Sequence, residues 1–83
     1  MDYVRTLVVL GESLRAMRHA RGLTQQQLAA RAGTTRLKVI QVEAGKPTVS
    51  AESYARIAAG LDATLAVTPA TRPTLEEIQE LLK

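Results

Sequence analysis

The chain has 83 residues, with no Cys, Phe or Trp and only two Tyr. That is room for one small core built from Leu, Val, Ile and Ala, and it excludes a second domain, a disulfide framework and thiolate chemistry. The formal charge of +3 is uneven: residues 1–46 hold eight Lys/Arg against Asp2, Glu12 and Glu43, whereas residues 47–83 hold three against five acids. The first half therefore carries the attraction to phosphate.

Tyr3 to Val9 is rich in β-branched residues and reads as a short strand, an extended arm or a forward extension of the first helix. A helix is expected over about 11–20, with Leu10, Leu14 and Met17 in helical register and Gly22 stopping it. His19 is the only histidine, and the neighbouring Arg18 and Arg21 argue against a metal site, so it is read as an exposed helix residue.

Two short helices follow, joined by a tight turn. The first, 24–32, opens on a capping box, Thr24 with Gln27 three residues on, and places Leu28 and Ala32 on one face. Gly33 can leave it with positive φ, and Thr34 or Thr35 can cap the next helix, 35–43, which Gly45 ends. At about 100° per residue, Val39 and Val42 point to one side of that helix. Leu37, Ile40 and Gln41 point away, with Arg36 at the leading edge and Lys38 on a flank. Outward aliphatic residues on so short a helix suggest a contact surface, although single exposed Leu or Ile residues are ordinary.

Ser50 caps a fourth helix over 50–60, with Val49 and Tyr54 placed as a hydrophobic staple. Its buried stripe is Tyr54, Ile57, Ala58 and Leu61. Ala63 to Thr68 then alternates apolar with polar or small residues up to Pro69, which reads as one strand. A lone strand needs a partner, either residues 3–9 or the same strand of a second copy. After a Pro/Thr linker, Thr74 and Glu77 set the start of a last helix, 74–82, with Leu75, Ile78, Leu81 and Leu82 as an apolar face packed on its own fold or on a dimer mate. The expected class is thus mainly α: a bundle of four to five helices with one short strand in the C-terminal half.

Leu23-Thr24-Gln25-Gln26-Gln27-Leu28-Ala29, then Gly33-Thr34-Thr35-Arg36-Leu37-Lys38-Val39-Ile40-Gln41-Val42-Glu43-Ala44-Gly45-Lys46, resembles the helix-turn-helix of the Xre family, the Cro and phage-repressor type. The likeness extends from Leu14 to Leu65, and the strand after the fourth helix resembles the high-persistence antitoxins. The resemblance implies that residues 35–43 are a recognition helix entering the major groove of double-stranded DNA, as one half of a homodimer joined through Ala63, Thr64, Leu65, Ala66, Val67 and Thr68. It implies base contacts from Thr35, Arg36, Leu37 and Gln41, and phosphate contacts from Thr24, Gln25, Lys38 and Lys46. The family more often has small or polar residues where Leu37 and Ile40 stand, so the base code departs from its pattern. Arg18 has two readings, a phosphate contact or, as the resemblance implies, a structural ion pair with Glu43.

No supported Ser/His/acid set, Gly-rich phosphate loop or metal-ligand set occurs, so neither an enzyme nor a cofactor is expected. No apolar run approaches a membrane span, and the opening residues lack a basic n-region and a cleavage site, which suits the cytoplasm. Three functions fit these residues: a DNA-binding repressor acting on a palindromic operator; such a repressor that is also the antitoxin of a kinase-like toxin; and a protein-only adaptor using Leu37 and Ile40.

Overall fold

The computed structural model describes residues 2–69, 79, 80 and 82. Their order is α1 (Tyr3–Ala20), α2 (Gln25–Ala32), α3 (Arg36–Glu43) and α4 (Ala51–Gly60). α1 begins at Tyr3 rather than near Gly11, so the β-branched run is helical. Local chemistry explains the start: the Asp2 side chain accepts from the Val4 N–H at 3.0 Å and caps the helix.

Each remaining helix opens on a hydroxyl cap, with Thr24, Thr35 and Ser50 accepting from the N–H three residues on. At Thr24 the box is complete, because the Gln27 side chain also receives the Thr24 N–H at 2.9 Å. Gly33 ends α2 in the left-handed region at φ 67°, where a side chain would be strained.

The core is aliphatic, as the composition requires. Leu28, Val39, Val42, Ile57 and Leu61 are fully enclosed, with Leu14, Ala29, Val49, Tyr54 and Ala58 around them. Each enclosed aliphatic side chain contributes about 1.5–3 kcal/mol of burial, before the entropy of ordering the chain. Leu7, Leu10 and Met17 of α1 lean on this core from one side.

Two glycines bring α1 onto the end of α3. A Cβ at Gly11 would lie 2.4 Å from the Val42 carbonyl oxygen and 2.8 Å from that of Glu43. One at Gly45 would lie 2.6 Å from the Val8 Cα. Backbone packs on backbone at both places, which is why a glycine stands in mid-helix at Gly11 against its poor helix propensity.

The expected strand is not formed. Residues 63–69 carry neither helix nor strand, no strand occurs among the described residues, and the described fold is all-helical. Alternation signals a strand only when one face is covered and a neighbour supplies hydrogen bonds. Here Ala63 rests on the core, but Leu65 is 42 % and Val67 fully exposed, and residues 3–9, one candidate neighbour, are helical. With the strand goes the feature that prompted the antitoxin likeness. Of the expected last helix over 74–82, Gln79 and Glu80 are helical, and the rest, bar Leu82, lies outside the described residues, with Leu75, Ile78 and Leu81 among it. No helix among the described residues is long and apolar enough to cross a membrane.

Candidate nucleic-acid interface

α3 has a covered back and an open front. Val39 and Val42 are 0 % exposed on the inner side. On the outer side Leu37 is 61 % and Ile40 39 % exposed, Thr35, Arg36 and Lys38 are exposed, and Gln41 is half-buried. Arg36 has no ion-pair or hydrogen-bond partner among the described residues, so its guanidinium is available to a ligand. Thr35 spends one acceptor on the Lys38 N–H at 3.2 Å and keeps its own proton to donate.

The start of α2 forms the second part of the surface. Thr24 is exposed, and its oxygen is engaged by the capping box. The backbone N–H groups of Gln25 and Gln26 precede the first intrahelical bond and remain open, as in the first turn of any helix. Such a terminus carries partial positive charge suited to an anion.

Lys46 is placed by its main chain and free at its side chain. Its N–H donates to the Gln41 carbonyl at 3.1 Å, and its carbonyl accepts from the Tyr54 hydroxyl at 3.2 Å. Lys38 and Lys46 are exposed and unpaired among the described residues.

The far end of α3 is fixed by a buried charge pair. Arg18 Nε lies 2.7 Å from Glu43 Oε2 and a terminal nitrogen lies 3.2 Å from Oε1, a two-pronged pairing. The other terminal nitrogen donates to the Leu23 carbonyl at 2.8 Å, in the loop that leads into α2. One guanidinium thereby ties α1 to the end of α3 and to the approach to α2. That occupies the donors a phosphate contact would need.

Gln25 joins the same cluster. Its amide nitrogen donates to Glu43 Oε1 at 3.2 Å, and the side chain is half-buried. Sequence reasoning placed this residue at phosphate and missed the bond to Glu43, for which no local signal exists. Ala63, half-buried against the core, and exposed Thr64 to Thr68 lie in the segment after α4, with Leu65 bordering an apolar groove that Leu7, Leu10, Val49 and Tyr54 also line.

The helix-turn-helix domain family matches residues 9–75. Among solved structures, the chain is similar to the restriction-modification controller protein C.AhdI from Aeromonas hydrophila, at 38% identity and a TM-score of 0.66, covering 76% of this chain and 91% of that one. A search of curated proteins gave no match. Four capped helices, an open α3 face and a match across most of the chain agree: the protein belongs to the helix-turn-helix domain family in its Xre type, that of DNA-binding regulators of transcription.

Proposed function

We propose that the protein represses or otherwise regulates transcription by reading a palindromic operator as a homodimer. The observation that carries this is the split of α3 into a fully buried back and a front bearing exposed Arg36, Leu37 and Lys38. The N-terminal end of α3 enters the major groove. Arg36 donates to guanine O6 and N7, the pairing that suits a forked guanidinium, Thr35 and Leu37 pack on thymine methyls, and Gln41 reaches a base edge. Thr24, Gln25 and the open N–H groups of α2 meet one phosphate, and Lys38 and Lys46 meet others.

The dimer partner packs on the apolar surface around Leu65 and Val67, which Thr6 and Leu10 of α1 border. Side chains rather than paired strands make this contact, and it sets two copies of α3 about 34 Å apart, one turn of DNA. The likeness to a restriction-modification controller favours a regulator of neighbouring genes over an antitoxin with a kinase-like toxin. A DNA-bound regulator of this kind works in the cytoplasm.

Duplexes selected from a random pool, compared with scrambled duplexes in gel shifts across salt concentrations, test the reading. Arg36→Ala is expected to cost about 1–3 kcal/mol on the selected duplex and to relax preference at one base pair. Lys46→Ala weakens both duplexes alike and lowers the salt slope by about one. Equal loss on both duplexes for Arg36→Ala refutes its role. No salt-sensitive binding at all refutes the proposal and points to a protein partner on Leu37 and Ile40.

A further inference from the structure

Gln25 is the first residue of α2, yet its side chain reaches the last residue of α3, with the amide nitrogen 3.2 Å from Glu43 Oε1. A carboxylate only accepts, so the nitrogen must face it, and this uses one of two amide N–H groups. The second has no partner among the described residues. Gln25 itself is one of the residues whose open main-chain N–H groups begin α2, where the proposed phosphate lies.

We infer that Gln25 is a positioning residue that couples backbone binding to the aim of α3. One N–H holds Glu43 and the other holds the phosphate, so a phosphate seated at α2 pulls through Glu43 on the helix that reads bases. The inference deepens the DNA-binding reading and rests on it for the phosphate half. Glu43 then receives three donors, Arg18 Nε, an Arg18 terminal nitrogen and Gln25, on two oxygens. Arg18 carries the charge balance, whereas Gln25 comes from the element that touches DNA. A phosphate contact with no second bond would add affinity equally on every sequence. A coupled one adds more on the correct sequence, because only there does the orientation of α3 decide whether base contacts form.

Gln25→Met keeps length and removes both donors, and Gln25→Lys restores a donor. For the full chain, Gln25→Met is expected to reduce the preference for the selected over the scrambled duplex by roughly tenfold, the scale of one lost charge-assisted hydrogen bond. Gln25→Lys is expected to keep that preference while steepening the salt dependence by about one added charge. The clamp is also read without DNA. Amide exchange at Ala44 and Gly45, whose N–H groups bond the Ile40 and Val42 carbonyls, should quicken in Gln25→Met while exchange within α4 stays unchanged. Equal weakening of both duplexes, or no weakening, overturns the coupling. Unchanged exchange at Ala44 and Gly45 overturns the clamp, even if the wild-type chain prefers no duplex and the DNA reading itself falls.

Discussion

The two ends of α3 are built on opposite terms. At Glu43 the side chain is 4 % exposed, receives donors from α1 and α2, and adjoins main chain that Gly11 allows to approach within contact of α1. At Arg36 the side chain is exposed and unpaired among the described residues, held only through the Thr35 cap beneath it. One end is thereby anchored and the other left open to a ligand. The division fits a general constraint: a helix of eight residues, too short to be stable by itself, can present an open surface only if the fold fixes it elsewhere.

The sharpest way to break this contrast is at the anchored end. Glu43→Ala leaves the Arg18 charge buried without its partner and is expected to cost about 3–5 kcal/mol in denaturant unfolding. That is a large share of what a small domain possesses. A loss below about 1 kcal/mol would mean that the pair is solvated and the anchor lies elsewhere.

Gly11→Ala comes next. Alanine gains about 1 kcal/mol of helix propensity, but its Cβ meets the Val42 carbonyl at 2.4 Å, and main chain cannot swing aside as a side chain does. Overpacking is expected to win by about 1–3 kcal/mol, read as a lowered melting midpoint. A raised midpoint would show that α1 and α3 are free to part.

Tyr54 gives a smaller effect with a pH signature. Burial raises its phenol above the ordinary 10.0, so the folded state favours the neutral form that donates to the Lys46 carbonyl. The stabilisation is whole below pH 10.0 and is lost as pH rises through the raised value. Tyr54→Phe is expected to cost about 1 kcal/mol at neutral pH and to remove that alkaline decline. The open end should show the least. Arg36→Ala is expected to change stability by less than about 0.5 kcal/mol, whatever it does to binding, and a larger loss would place Arg36 in the scaffold.

What was legible in the sequence was what neighbours along the chain decide. The caps at Thr24 and Ser50, and the narrowing of the α3 cap to Thr34 or Thr35, depend on residues three apart, and the buried side of α3 follows from the spacing of Val39 and Val42. The start of α1 was harder, because Val4, Val8 and Val9 favour strands and Gly11 is a poor helix former. Contact with Gly45 and the cap at Asp2 outweigh those preferences, and the contact belongs to tertiary structure. Residues 63–68 misled for the converse reason, since their alternation is genuine but no described strand lies beside it. The bond from Gln25 to Glu43 joins residues 18 apart through side chains alone, and nothing in either residue's neighbourhood announces it.

The crossing at Gly11 bears on how freely the outer side of α3 can vary. The gap between α1 and α3 there is set by peptide atoms, which are chemically alike whatever residues occupy the outer side of α3. Substitutions at Arg36, Leu37 or Gln41 leave that gap untouched, so the outer residues of α3 can be exchanged without moving the frame that presents them.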